Sequence, residues 1–595
     1  MCGIFGFSWE DKALLERMSR VLFHRGPDEF ASYGDKGISL GMRRLAIIDL
    51  KKGLYPITNE NGTIQVIFNG EIYNYQELKK DLEARGHRFT TSCDAEVIPH
   101  AYEEYGDNFP NKFNGMFAIA LYDIAKNRIL LVRDKLGEKP LYYLLDKNRL
   151  AFASEIKCLL EIPEYTKSID RPALDSYLTH RYTLGTSTLF QNIKRMSPGT
   201  TLAFDGNIKI TRYWNLDYKE NTNTLSQNAG ILRYLLEDSV KMRLMSDVPL
   251  GAYLSGGLDS SAIVALMAKH SDKVNTFNVS FSDSDFDESK YARIVAERFS
   301  TNHTQINVDI DATKVLPEVI WHLDEPIADA ATIPTYLMSK ETRKKVTVVL
   351  SGEGSDELFG GYERFRHLGF AYNFRHIPTK IRELPKNMNL KDKTLVRGSE
   401  LLSNLHDDEK AYISYYSVFD DKEKKELYMH SDTPKSATLV GYFKEGFLTG
   451  IQKIDIEERL PNNMLLKGDK MTMAASIEGR VPFLDPRLAE HGVSIPFGQK
   501  ASLTQEKIVY REAVKGLIPK EILSRKKQGF SVPTEKWAKD GLIDRLQETI
   551  KDTSEPFLKK DAISHICNNL HKSIYYRRQF WAVLMYEEWY SKFMQ

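Results

Sequence analysis

Leu254-Ser-Gly-Gly-Leu-Asp-Ser-Ser261 is the stretch whose reading decides the fold. It follows an apolar run, Val248-Pro-Leu-Gly-Ala-Tyr-Leu254, and precedes a helical one, Ala262-Ile-Val-Ala-Leu-Met-Ala-Lys269. A buried strand therefore ends in a glycine turn that opens a helix. Gly256 and Gly257 let the backbone turn tightly with its N–H groups outward. The helix start adds unsatisfied donors and the positive end of its dipole. Ser255, Ser260 and Ser261 add hydroxyls, and Asp259 adds a carboxylate able to hold Mg2+ beside phosphates. A plain glycine corner is the alternative, but the strand–loop–helix setting and the Asp-Ser-Ser finish favour a phosphate loop. The lysine-containing Walker pattern is absent, which argues against ordinary P-loop NTPase chemistry.

Outward from this loop, strands are expected at 248–254, 274–281, 303–309 and 346–351, with helical stretches between them. That alternation predicts an α/β domain with a parallel sheet covered on both faces. A second strand–glycine loop–helix unit is Val346-Thr-Val-Val-Leu-Ser-Gly-Glu-Gly-Ser-Asp-Glu-Leu-Phe-Gly-Gly361. Ligands of parallel sheets sit at the carboxyl ends of the strands, which places Ser351, Gly352, Glu353 and Asp356 beside the first loop. Asp259 and Asp356 together are expected to hold Mg2+ on a triphosphate, with Glu353 as general base or acceptor-positioning group. Asp283-Ser-Asp285-Phe-Asp287-Glu288 opens like a calcium loop but fails at the sixth and twelfth positions, Glu288 and Ile294. Beyond about residue 360 the chain reads as mostly helical. Its aromatic end, Ser573 to Tyr590, reads as an amphipathic helix packed on the domain.

The chain has 595 residues, too many for one core, so two or more domains are expected. Lys+Arg (82) and Asp+Glu (81) nearly cancel, which gives no electrostatic case for nucleic acid or an anionic membrane as partner. No apolar run is long enough to span a bilayer, and the N-terminus lacks signal-peptide character. Cys2, Cys93, Cys158 and Cys567 lie too far apart for a disulfide scaffold or a cysteine zinc site. A soluble, cytoplasmic enzyme is expected. Short strands around residues 38–48, 64–68, 117–122 and 128–133 predict packed, largely antiparallel sheets in the first two hundred residues. The polar stretch Tyr218 to Gln227 marks the boundary between domains at 1–215 and 225–595.

Cys2 follows the initiator methionine. Removal of Met1 would put a thiol and a free α-amine on one residue. An α-amine of pKa about 8 can serve as the base. Arg44 can bind a substrate carboxylate in bidentate fashion, and Glu71 and Asp94 can grip an α-ammonium. Asn69-Gly70-Glu71 is expected to follow a strand, with the Asn69 amide and Gly70 N–H forming an oxyanion hole. Pro99 would break a hydrogen bond in a helix starting at Asp94.

Cys2-Gly3-Ile4, Arg25-Gly26-Pro27-Asp28, Arg44-Leu45-Ala46-Ile47, Asn69-Gly70-Glu71-Ile72-Tyr73-Asn74 and Arg133-Asp134 resemble the class II glutamine amidotransferases. The resemblance implies an αββα sandwich of the Ntn-hydrolase type, with Cys2 as nucleophile and Arg44, Asn69, Glu71 and Asp94 as glutamine ligands. The first glycine loop resembles that of ATP pyrophosphatases. With the second loop, Asp469-Lys470-Met471-Thr472-Met473-Ala474 and Glu478-Gly-Arg-Val-Pro-Phe-Leu-Asp485, it resembles the synthetase domain of the glutamine-hydrolysing asparagine synthetases. That implies Lys470 on the phosphates, Leu254 and Val279 against adenine, and Ser255, Gly256, Gly257, Ser260, Ser351 and Gly352 around ATP. It also implies a homodimer and an internal passage for ammonia. Aspartate is the expected acceptor, although Asp324 to Pro334 has no arginine and Lys526 to Pro533 looks like a branch that amidates other carboxylates in sugars or peptides. A non-catalytic relative is disfavoured because Cys2, Asp259, Glu353 and Asp356 are all present.

Overall fold

A computed structural model describes residues 2–595 except 36, 51–54, 282–286, 309–310, 388–391, 430–437, 526, 528–531 and 554–556. Part of the calcium-like segment, the end of the strand expected at 303–309 and most of 526–533 therefore lie outside the described residues.

The first half contains two six-stranded antiparallel sheets. Strand Gly115–Asp123 shows why they stack, because all nine of its residues are buried. Side chains alternate across a strand. Ala118 and Ala120 therefore face the other sheet, packed with Ile4, Leu40, Met42 and Ile67. Phe117, Ile119 and Leu121 face helices Tyr75–Ala84 and Val97–Tyr105 through Leu78, Leu82, Ile98 and Ala101. Phe5 and Phe7 of strand Gly3–Phe7 face the opposite way, onto Leu14, Leu15 and Met18 of helix Lys12–Val21. The order is helix, sheet, sheet, helix, the αββα sandwich.

Two local expectations change. The strand at 64–68 continues through Ile64–Ile72, so Asn69, Gly70 and Glu71 lie within it. The helix near Asp94 begins later: Asp94–Glu96 form a single 3-10 turn and the α-helix is Val97–Tyr105. Pro99 then falls in the first turn, where its missing N–H has no intrahelical partner to lose.

The second half is built on a five-stranded parallel sheet in the order Asn302–Asn307, Asn275–Ser280, Leu250–Tyr253, Val348–Leu350, Glu478–Arg480. The chain order reverses about Leu250–Tyr253, so the two glycine loops flank a crevice at the carboxyl ends of adjacent strands. The fifth strand was not expected. It is three residues long with charged ends and no apolar run, and it is buried because Arg480 Nε donates to Glu478 Oε1 at 2.6 Å.

Beyond Ser355 the chain is almost entirely helical. Helix Ile574–Phe593 differs from the amphipathic expectation, since every residue from Gln579 to Tyr590 is buried. It is wedged between the halves: Tyr177 donates to the Ala582 carbonyl at 2.7 Å, and Trp589 Nε1 donates to the Asp324 carbonyl at 3.0 Å. Burial on every side makes this helix a core element, with Glu588 paired to Arg545. Among the described residues no helix is long and apolar enough to cross a membrane.

Candidate active sites

Cys2 is buried at the start of the first strand. Its backbone N–H donates to Asn69 Oδ1 at 3.0 Å, and its carbonyl accepts from Arg25 Nε at 3.1 Å. Burial pushes the thiol above its ordinary range. Asn69 Nδ2 is buried without a hydrogen-bond partner, so a donor stands beside Cys2 with nothing in the protein to receive it. Gly70 follows in the same strand, opposite Phe117. The Arg44 guanidinium donates to the carbonyls of Ile48 (3.3 Å) and Asp49 (2.8 Å), which fixes its orientation.

Asp94 accepts from the Ile72 N–H at 2.8 Å, and burial lifts its pKa to about 6. Burial also raises Glu71, reinforced by Glu478 and Asp94. Glu71 Oε1 lies 3.4 Å from Arg480 Nη2, a residue of the other half, while Glu71 Oε2 has no hydrogen-bond partner. The structure thus brings Cys2, Arg44, Asn69, Glu71 and Asp94 together, with Arg25 and Arg480 as additional members. Arg25 ties the two halves together: its buried guanidinium binds Glu155 at 2.9 Å and Asp469 at 2.8 Å.

The second site is a cavity of about 510 Å³ between the two glycine loops. Leu254, Ser255, Gly257, Asp259, Ser260, Val279, Ser351, Gly352, Glu353 and Asp356 all line it. Gly256 does not line it but shapes it. At its φ of +68° a side chain would be strained, and a Cβ would lie 2.4 Å from the Tyr291 carbonyl carbon. At Gly352 a Cβ would come 2.9 Å from Asp259 Cβ, so this glycine lets the two loops touch. Ser255 Oγ lies 3.1 Å from Ser260 Oγ and accepts from the Gly257 N–H at 3.2 Å, which holds the first loop closed onto helix Leu258–His270. Phe277, Val279 and Met338 give one wall an apolar surface.

Lys507 is one of the residues that the sequence did not reveal. Its Nζ lies 2.6 Å from Asp259 Oδ1 and 2.7 Å from Asp356 Oδ1. Lys527 reaches the same Asp356 oxygen at 2.6 Å. Both carboxylates line the cavity and share the Lys507 ammonium. Such oxygen donors fit a Mg2+ ion shared with phosphates. Glu353 is half-buried, and desolvation raises its pKa to about 7 against the opposing pull of Lys467. Lys467 lines the cavity and binds Asp329 at 2.8 Å. Lys470, one turn further along, does not line it. Its Nζ is fully buried and bound to Asp324 at 2.8 Å. Arg181 reaches the cavity from the first half of the chain, and its Nε is buried without a hydrogen-bond partner. A lone lysine at a short helix start and an arginine after a helix carry no local signature, so only the fold reveals Lys507 and Arg181.

The cavity also extends to Glu138 and Lys139 of the first half and to Asp469 and Gly479. Asp469 is the carboxylate that binds Arg25, whose Nε holds the Cys2 carbonyl. One buried layer therefore touches both sites.

A thiol pocket in an αββα sandwich, joined to a parallel sheet with paired glycine loops, defines a two-site amidotransferase architecture. A glutamine amidotransferase domain model matches residues 1–214, and an asparagine synthase model matches residues 231–591. The chain is 34% identical to asparagine synthetase [glutamine-hydrolyzing] 1 of Bacillus subtilis (strain 168), over 99% of this chain and 96% of that protein. It is 32% identical to a putative asparagine synthetase [glutamine-hydrolyzing] of Mycobacterium tuberculosis (strain ATCC 25618 / H37Rv), over 100% and 98%. A Zea mays asparagine synthetase [glutamine-hydrolyzing] is 35% identical over 61% of each chain. This chain belongs to the glutamine-hydrolysing asparagine synthetase family.

Proposed function

We propose that the protein makes asparagine from aspartate, using ATP and ammonia released from glutamine. With Met1 removed, the Cys2 α-amine held by Asn69 takes the thiol proton, which burial otherwise retains. The thiolate adds to the side-chain amide carbon of glutamine. The developing oxyanion is received by Asn69 Nδ2 and the Gly70 N–H. The proton passes to the leaving nitrogen, ammonia departs, and water hydrolyses the γ-glutamyl thioester to glutamate. Arg44 holds the glutamine carboxylate, and Glu71 and Asp94 its ammonium.

In the cavity, the aspartate β-carboxylate attacks the α-phosphorus of ATP and pyrophosphate leaves. The loop hydroxyls, helix start and Lys507 stabilise the charge on the leaving group. Mg2+ bound by Asp259 and Asp356 would add further charge neutralisation there. Lys507, not Lys470, is assigned this role, because its partners Asp259 and Asp356 line the cavity whereas Asp324, the partner of Lys470, does not. Ammonia attacks the β-aspartyl-adenylate, Glu353 accepts its proton, and AMP leaves. A carboxyl of pKa about 7 suits such a base near neutrality. Asp329 and Arg181 are assigned the acceptor's α-ammonium and α-carboxylate, which favours an amino acid over a plain carboxylate.

The observation that carries this reading is the cavity between the glycine loops, which runs to Glu138 and Lys139 of the glutaminase half. Pyrophosphate release with glutamine, ATP and Mg2+ tests it across a panel of carboxylates. Aspartate is expected to support release and to yield asparagine. Release with a sugar or peptide carboxylate but not with aspartate would overturn the assignment.

A further inference from the structure

Outside both sites, three segments of the glutaminase half converge on one point. Glu60 lies between strands Ile57–Thr58 and Ile64–Ile72, and His87 lies just after helix Tyr75–Ala84. His100 and Glu103 stand three residues apart on one face of helix Val97–Tyr105. Their four ligating atoms all lie within 4.8 Å of one another.

The separations have a particular size. His87 Nδ1 is 3.3 Å from Glu60 Oε1 and 3.8 Å from Glu103 Oε2. His100 Nδ1 is 3.4 Å from Glu60 Oε2 and 3.9 Å from Glu103 Oε2. Charge-assisted N–H···O bonds are shorter, at about 2.7–2.9 Å. Donors placed about 2.0–2.2 Å from a tetrahedral zinc ion stand roughly 3.3–3.6 Å apart. The gaps to the two Glu60 oxygens sit at that edge length, the 3.3 Å one also within reach of a long hydrogen bond, and the gaps to Glu103 lie slightly beyond it.

Two independent features point the same way. His100 is 1% exposed, yet neither ring nitrogen has a hydrogen-bond partner. The other ligands are steadied too: His87 Nε2 faces Glu104 Oε1 at 3.3 Å, Asn59 Nδ2 donates to Glu103 Oε1 at 2.8 Å, and the Arg88 N–H donates at 2.9 Å to Glu60 Oε1, the oxygen that also faces His87. Outer partners of this kind orient metal ligands.

We propose that Glu60, His87, His100 and Glu103 form a four-coordinate structural site for a divalent zinc-class cation. Two carboxylates balance the charge, and two imidazoles select against Mg2+ and Ca2+. Four protein donors leave no open position for catalysis. The ion ties helix Val97–Tyr105 to the sheet edge, and that helix follows directly on the Asp94–Glu96 turn of the glutamine pocket.

The test is calorimetric titration of the chelator-dialysed full-length protein with ZnCl2, alongside Glu103→Gln and His87→Asn. Glu103 is exposed and His87 half-buried, and circular dichroism checks folding. One Zn2+ per chain is expected, with affinity at least tenfold weaker in each variant and a raised melting temperature in the unsubstituted protein only. The proposal is overturned if no stoichiometric binding occurs, or if the folded variants bind as tightly as the unsubstituted protein.

Discussion

Lys507 and Lys470 are both buried lysines bound to aspartates, and only their partners separate their roles. Lys507→Ala removes a cation from between two cavity carboxylates, so synthesis is expected to slow by about 10²–10³-fold while glutamine hydrolysis persists. Lys470→Ala leaves Asp324 and Glu155 with Lys157 as their shared cation, so it is expected to lower stability by about 1–3 kcal/mol, read as earlier unfolding in denaturant. Comparable synthesis losses in two equally stable variants would contradict this division. Glu353 gives a pH prediction. It must be deprotonated to accept a proton, and its pKa is about 7. The ammonia-dependent rate, corrected for free ammonia, should therefore fall as pH drops below about 7 and level off above it. Glu353→Gln should abolish synthesis and spare glutaminase activity. At this scale the sequence exposed Cys2, Asn69, Asp259 and Glu353, because each lies in a compact motif. Arg181, Lys467 and Lys507 carry no such motif, since their positions depend on folding across hundreds of residues.

Strands and helices were legible where one physical signal dominated. Apolar runs ending in glycine loops marked strands Leu250–Tyr253 and Val348–Leu350, and strand–helix alternation marked Asn275–Ser280 and Asn302–Asn307. Strand Glu478–Arg480 escaped notice because its burial rests on internal charge pairing, not hydrophobicity. Helix Ile574–Phe593 was legible as a helix but not as a core element. Its charges suggested a wet face, whereas Glu588 is buried against Arg545 at 2.7 Å. Trp589 is fully buried and packs edge-on against Phe190 at 5.1 Å. Trp589→Ala is expected to cost about 3–5 kcal/mol, measured as a lower unfolding midpoint. An unchanged midpoint would show that the helix is not part of the shared core.

The two halves meet through ions with almost no contact to water. Arg25, Glu155, Lys157, Asp324, Asp469 and Lys470 form one network in which each side chain is at most 4% exposed. Burial alone would raise Glu155, but Lys157, Lys470 and His24 hold it well below the usual carboxylate range. No motif search exposes such a layer, because its members come from both halves. Arg25 sits between the Cys2 carbonyl and Asp469, so Arg25→Met is expected to weaken coupling: glutamine hydrolysis should continue while less of its nitrogen reaches asparagine. Cys2→Ala should abolish glutamine use and keep ammonium-dependent synthesis. The central claim is that nitrogen passes inside the molecule from Cys2 to the cavity. Its most direct test uses amide-15N glutamine, aspartate and ATP with Mg2+ in an excess of unlabelled ammonium, and reads the label in the asparagine formed. The account predicts asparagine carrying mostly 15N. Label diluted to the level of the ammonium pool would contradict it.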